Sequence, residues 1–327
     1  MTPAFSVVVP TYRRLDSLAR LLDSLRSQSR QDFELVIVDQ NSDNLIDSVL
    51  LDWRGWDRLR HIKQAAPNVS AARNLGFMSS SATKVLFLDD DIVLEPNFCQ
   101  RFLETFEQIA NDAGCLCPVV TAPTGISGPD HIIPQTQQPG TSIHEISEAM
   151  SCTVLFTRRS FLASGGFDEL LFDFARTAED QEFFLRLRRR GMKVMLDASL
   201  VVYHAEERSG GCELGSGSYW QTRFRCAKAW AFRYRIHRGD GGRLALHDFY
   251  HLVRSSFLNR AAMRAGVTHI RREIRILVQA INASWETLRA HLGEYENINK
   301  IDHLAKYRSV AQGDSVSLPR SSVVLRT

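Results

Sequence analysis

The chain has 327 residues, 44% hydrophobic and 24% charged, an ordinary composition for a soluble globular protein with one large core and an appendage. It has no run of about 18 uncharged apolar residues, which excludes a membrane span, and its six cysteines form no CxxC pair, which disfavours a zinc site. With no secretory leader after Met1, a reducing cytoplasm is the expected setting. The net charge of +3 hides an asymmetry: Glu207 to Arg275 carries 14 Lys and Arg against five Asp and Glu, a segment of +9, while the remainder is −6.

Ser6-Val7-Val8-Val9-Pro10 is a short β-rich run closed by proline, and Leu15, Leu18, Leu22 and Leu25 then repeat at helical spacing. Phe33 to Val38 predicts a second strand, ended by the polar turn Asp39-Gln40-Asn41-Ser42-Asp43. Ser70 to Ser80 reads as a helix and Val85 to Leu88 as a buried strand, followed directly by Asp89-Asp90-Asp91. Strand–helix–strand order at this spacing implies right-handed βαβ units and a mostly parallel sheet flanked by helices, an α/β fold of Rossmann-like type. Ligands of such sheets bind outside the carboxyl ends of the strands. Pro10-Thr11, Asp39 and the acid triplet all lie at such ends and are expected to converge on one crevice.

Acidic residues at a strand end are either polar turn formers or oxygen ligands for a hard cation that in turn binds phosphate. On a strand, alternation would put Asp89 and Asp91 on one face and turn Asp90 away. Neither GxGxxG nor GxxxxGK[ST] follows any strand, which disfavours a dinucleotide dehydrogenase and a P-loop NTPase. Further on, Thr177-Ala178-Glu179-Asp180 opens a helix that runs through Arg190 and stops at Gly191. Asp180 is either a helix-start acid in a near capping box or a carboxylate facing the protein, able to act as a base. His204 closes the apolar run from Ser199 to Tyr203, as a structural histidine or as a metal ligand.

Seven pieces, in order, resemble family 2 glycosyltransferases: Ser6-Val7-Val8-Val9-Pro10-Thr11-Tyr12, Val38-Asp39-Gln40-Asn41-Ser42-Asp43, Ser70-Ala71-Ala72-Arg73-Asn74-Leu75-Gly76, Phe87-Leu88-Asp89-Asp90-Asp91, Gly165-Gly166-Phe167-Asp168-Glu169, Ala178-Glu179-Asp180 and Val202-Tyr203-His204. The resemblance covers roughly residues 5–210. One departure is Asp39-Gln40-Asn41-Ser42, where the family more often shows Asp-Asp/Asn-Gly-Ser; it alters the turn and keeps Asp39 and Asp43.

The resemblance implies a GT-A fold and metal-dependent, inverting transfer of a sugar from a nucleoside-diphosphate sugar to a hydroxyl, in polysaccharide or glycolipid synthesis. Pro10, Thr11 and Tyr12 would line the nucleoside pocket, Asp39 would accept a hydrogen bond from the base, and Arg14 and Arg73 would reach phosphate. Asp89 and Asp90 belong to the donor site, Asp89 on ribose or metal-bound water, while Asp91 and His204, with Asp89, hold Mn²⁺ or Mg²⁺. Asp180 would be the base and Glu179 an acceptor hydrogen bonder, with Arg208 a further phosphate contact. Asp39 suits a UDP- or dTDP-sugar. Asn74 and Gly76 shape the backbone. Gly165-Gly166-Phe167-Asp168 would face the acceptor, and Pro118 to Gly140 reads as an irregular excursion.

The expected organisation is a catalytic domain over 1–210, a basic helical region over 211–307 and a loose tail over 308–327. The basic region either lies on an anionic membrane surface, where lipid-linked acceptors reside, or forms a helical subdomain with a solvated face. No recognised nucleic-acid motif accompanies its charge. Two rivals to the transferase are a metal-dependent nucleotidyltransferase, which usually has a glycine-rich basic N-terminal loop, and a catalytically silent sugar-nucleotide-binding module.

Overall fold

A computed structural model describes residues 2–53, 55–109, 113–123, 125–126, 142–207, 210–212, 218–237, 254, 260–295 and 300–308. The N-terminal elements follow the hydrophobic pattern: β1 (Phe5–Thr11), α1 (Leu15–Arg26), β2 (Phe33–Asp39), a helical turn α2 (Asp47–Leu50), β3 (Leu59–Lys63), α3 (Val69–Ser79) and β4 (Lys84–Leu88). After the acid triplet come β5 (Ile92–Val93), α4 (Phe98–Ile109), β6 (Ala113–Ala122), β7 (Gly125–Ile126), β8 (Ile143–Ile146), β9 (Thr153–Thr157), α5 (Arg158–Ser164), α6 (Glu169–Ala175), α7 (Glu179–Arg189) and β10 (Lys193–His204). Two long helices follow, α8 (Tyr219–His237) and α9 (Arg260–Arg289), then a turn, α10 (Leu292–Tyr295).

The strands form one sheet in the order β3-β2-β1-β4-β9-β6-β10-β5, with β7 on β6 and β8 on β10. β1, β2, β3 and β4 pair in parallel, as does β6 with β10. β9 runs antiparallel between β4 and β6, so the sheet is mixed although parallel pairing dominates its N-terminal half. Every residue of β1 and β2 is buried, as expected of strands covered on both faces. Pro118, expected to open an irregular excursion, lies within β6 instead; its β-rich neighbours Val119 and Val120 extend the strand to Ala122. Most of the remaining excursion, 127–141, lies outside the described residues.

Two apolar layers sandwich the sheet. On one side α1 lays Leu18, Leu21, Leu22 and Leu25 against Val7, Val9 and Leu35. On the other, α3 packs with Val8, Val36 and Val38, above a group of phenylalanines around Phe161. Asn68 caps α3, its side chain accepting from Ala71 N at 2.9 Å. Gly76 lets α3 sit close to the sheet, since a Cβ there would overlap Val8 Cγ1 and come 3.0 Å from Val38 Cγ2. Gly76→Ala is therefore expected to lower stability by about 1–3 kcal/mol, read as an earlier urea midpoint at unchanged slope.

The chain divides into two compact units. The first comprises Met1–Glu169, Phe183–Gly215 and Asp302–Thr327, and the second Leu170–Glu182 and Ser216–Ile301. In the first, Leu304 and Tyr307 join the Phe161 layer, and Tyr307 Oη donates to Glu169 Oε1 at 2.8 Å. The second has its own core of Leu171, Ala175, Ala229, Phe232 and Leu288, and its long helix breaks at Gly266, where φ is 72°.

Candidate active site

The parallel register sets Thr11 opposite Asp39 and Asp39 opposite Lys63, and the last residue of β10, His204, pairs with Ile92 just beyond the triplet. The expected convergence at the strand ends is therefore present in the first unit. Asp89-Asp90-Asp91 itself lies on a turn closed by Ile92 N donating to Asp89 O at 3.3 Å. Strand alternation does not govern it, and Asp90 is not turned away from its neighbours' ion pairs. Arg14 Nη1 stands 3.1 Å from Asp90 Oδ1 and 2.9 Å from Asp91 Oδ2, joining the two acids. Thr11 Oγ1 donates to Asp90 Oδ2 at 2.8 Å. Burial is the main force on Asp90 and, with Arg14 opposing and Asp91 adding, pushes its carboxyl up to about 7.

Asp91 is the centre of the cluster. Its Oδ2 also accepts from Glu207 N at 3.1 Å, and its Oδ1 lies 3.1 Å from His204 Nε2. Burial alone would raise Asp91, but His204, Arg14 and the Glu207 amide outweigh it and hold the carboxyl below its usual range. For His204 burial works downward and is outweighed by Asp91, with Asp89 and Glu206 adding, so the imidazole is raised. One ligand atom each from Asp89, Asp91 and His204 lies within 4.8 Å of the others. Asp91 Oδ1 is buried, and the partner it has among the described residues is the His204 imidazole. Two carboxylates and one imidazole with converging ligand atoms fit a hard divalent cation such as Mn²⁺ or Mg²⁺.

Arg73 is buried, donates to Asp89 Oδ1 at 2.7 Å and stacks over Phe167. Asn74 clamps the Phe167 backbone, donating to its O at 2.9 Å and accepting from its N at 2.8 Å. Gly166 has φ +78°, and a Cβ there would stand 2.7 Å from Asn74 Oδ1 and from Leu304 Cδ2. Gly166 is thus required by close packing, and Gly165 ends α5 in the left-handed conformation at φ 80°. Pro10 lies in β1, and Tyr12 holds the chain after it by accepting from Gly211 N at 2.8 Å. Arg208 lies outside the described residues.

Asp39 is fully buried, and both its oxygens are occupied. Oδ1 accepts from Asn41 N at 2.9 Å and Asn41 Nδ2 at 2.7 Å; Oδ2 has Lys63 Nζ at 2.7 Å and His61 Nε2 at 3.0 Å. Burial pushes this carboxyl up, and Lys63, the Asn41 amide and His61 together more than offset it, leaving it below the usual range. Sequence reading missed Asn41, His61 and Lys63. The i, i+2 spacing of the latter two would have placed both on one face had Leu59–Lys63 been recognised as a strand. Asp39→Asn is expected to cost about 2–3 kcal/mol at neutral pH, because its amide nitrogen would face donors. A carboxyl with a lowered folded value contributes stability above its unfolded pKa, so the gap to wild type should close as pH falls below about 4. Urea unfolding at pH 7 and pH 3 reads both effects.

In the second unit, Glu179 and Asp180 occupy the first turn of α7 and are half-buried. The residues beside them are engaged: Gln181 Oε1 accepts from Arg233 Nη1 at 2.7 Å, and the buried Glu182 lies 3.4 Å from His237 Nε2. Ala178, before the helix, has φ 67°, a left-handed conformation that costs a non-glycine residue energy and is common where chemistry fixes the backbone.

Residues 6–162, spanning β1 to α5, match the family described as glycosyl transferase family 2. The chain carries a family 2 glycosyltransferase domain. Among curated relatives, the O-antigen biosynthesis protein RfbC of Myxococcus xanthus is 30% identical over 241 residues, 67% of this chain and 19% of that protein. The poly(ribitol-phosphate) β-N-acetylglucosaminyltransferase TarP of Staphylococcus aureus is 25% identical over 213 residues, 60% of this chain and 62% of that one. The chain thus spans less than two thirds of the length of either relative. The crystal structure of S. aureus TarS 1–349 in complex with UDP-GlcNAc aligns with a TM-score of 0.60 at 19% identity, covering 96% of this chain and 93% of that one. That likeness establishes the GT-A fold. Of the site residues, Pro10 to Asp91 lie inside the family 2 glycosyltransferase match, and Asp180 and His204 lie beyond it. Among the described residues no helix is long and apolar enough to cross a membrane.

Proposed function

We propose that the protein is an inverting, metal-dependent glycosyltransferase that moves one sugar from a nucleoside-diphosphate sugar to a hydroxyl acceptor. The observation that carries this reading is the cluster of Asp89, Asp91 and His204, whose two acids lie at a strand end inside the family 2 match. In a single displacement the acceptor oxygen bonds to the anomeric carbon as the bond from that carbon to the diphosphate oxygen breaks. Asp180 takes the acceptor's hydroxyl proton, and the nucleoside diphosphate leaves with the bond's electron pair. Asp91, Asp89 and His204 would hold Mn²⁺ or Mg²⁺, which when bound offsets charge on the departing diphosphate. Arg14 fixes the orientation of Asp91, and Arg73 that of Asp89.

TarS was crystallised with UDP-GlcNAc, TarP is an N-acetylglucosaminyltransferase by name, and RfbC serves O-antigen biosynthesis. A uridine-diphosphate donor and a role in cell-surface polysaccharide synthesis are accordingly favoured, with a saccharide or lipid-linked acceptor. Because Asp39 already has four donors, a pyrimidine imide reaches it only when Lys63 or His61 moves aside. The test is calorimetric titration of UDP, dTDP, GDP and their sugars, with and without Mn²⁺. Metal-dependent binding of one pyrimidine diphosphate supports the reading, and failure of a folded protein to bind any of them overturns it.

A further inference from the structure

The helical unit carries a surface with chemistry of its own. Beyond its break at Gly266, α9 presents Val267, Ile270, Ile274, Val278 and Trp285 at spacings of three, four and seven residues. These positions follow one face of a helix, and each side chain keeps 39–65% of its surface in solvent. A continuous exposed apolar stripe of this kind marks a surface that something covers. Beside it stand Arg271, Arg272 and Arg275, all exposed and none with an acidic partner among the described residues. The contrast lies one turn away. The buried Glu273 is engaged by Arg223 Nε at 3.1 Å and by His269 at 3.8 Å, so it cannot serve those three arginines.

The three arginines also line a groove of ≈ 660 Å³ with Ser218, Trp220 and Gln221. Arg272 lies over the Trp220 ring at 4.3 Å from its centroid, which holds the guanidinium at the groove wall. A guanidinium fork matches phosphate oxygens, and tryptophan suits the boundary between headgroups and acyl chains.

We infer that this face of α8 and α9 docks on an anionic phospholipid surface, with the groove arginines on headgroup phosphates and the apolar stripe in the acyl boundary. A basic amphipathic helix lies in such an interface through both contributions together. Charge decides against a second copy of the chain as the occupant. Pairing two stripes would bring two rows of arginine together, and on α9 only the exposed Glu286 could offset them. An anionic bilayer meets both the apolar and the cationic requirement. The inference does not rest on the glycosyl-transfer reading, since vesicle binding is measured without turnover.

The test is co-sedimentation of the full chain with vesicles of phosphatidylcholine alone or mixed with phosphatidylglycerol. Binding is expected on the mixed vesicles and about tenfold or more weaker on the neutral ones. It should fall steeply as salt rises to about 0.5 M, a readout that needs no variant. R271Q/R275Q should weaken binding about tenfold or more. I274S/V278S should also weaken it, and circular dichroism checks that both variants fold. Equal binding to neutral vesicles, no binding at all, or full binding by I274S/V278S would each overturn the inference. So would a concentration-dependent dimer, seen by sedimentation velocity and abolished by I274S/V278S, in a chain that ignores vesicles.

Discussion

Asp91→Asn is expected to abolish metal-dependent binding of the nucleoside diphosphate and to reduce turnover by about 10³-fold or more. The size follows from what a divalent cation contributes to a departing diphosphate, several kcal/mol of charge stabilisation, at 1.36 kcal/mol per tenfold. The site follows from geometry. Asp91 is the one acid of the triplet that touches both Arg14 and His204, and its Oδ1 is buried with the imidazole beside it. An amide in its place halves the acceptor capacity and removes the negative charge, while keeping the shape. Wild type treated with a chelator should behave as the variant does. Titration calorimetry with UDP and Mn²⁺ measures binding, and released UDP measures turnover. The variant also loses an ion pair to Arg14, so its melting temperature must be compared. A folded Asp91→Asn that binds UDP with wild-type metal dependence would remove Asp91 from the metal site.

Much of this arrangement was legible in the sequence, for identifiable reasons. β1, β2 and β4 are short apolar runs ended by proline or acids, so their carboxyl ends, and hence Thr11, Asp39 and Asp89, could be placed on one edge without coordinates. The leucine period of α1 was equally plain, and α3 could be placed between its flanking strands. The interior of the triplet was not, because alternation holds only along a strand and these acids follow one. That Arg14 would join Asp90 to Asp91 depends on where α1 starts relative to the turn, a distance of 76 residues in the chain. The partners of Asp39 were hidden for another reason. β3 is an edge strand, and Leu-Arg-His-Ile-Lys has no apolar run to announce it. The antiparallel course of β9 between two strands that otherwise run with the parallel set is a non-local pairing that no local pattern encodes. The break in α9 sits at Gly266, a residue that a sequence reader accepts inside a helix because its cost there is only about 1 kcal/mol.

Asp180→Asn is the second variant expected to have a large effect: turnover lower by about 10²–10⁴-fold with nucleotide affinity unchanged. Its position makes a bland explanation available. An acid in the first turn of α7 is favoured by the helix dipole whether or not it does chemistry, and the same turn also holds Glu179 and Glu182. A dipole role predicts only a stability change of about 0.3–1 kcal/mol and leaves the rate alone. A base role predicts the reverse, since Asn keeps the size and most of the local hydrogen bonding but cannot take a proton. The pH profile separates the two further. In wild type the rate should rise with pH as the base ionises, and in the variant that limb should disappear from what activity remains. Glu179→Gln supplies the control: as an acceptor hydrogen bonder it should raise the acceptor KM about tenfold while largely preserving kcat. Turnover by Asp180→Asn at the wild-type rate would assign the acid to the helix start, and the proton would then have to leave through another group on the acceptor side.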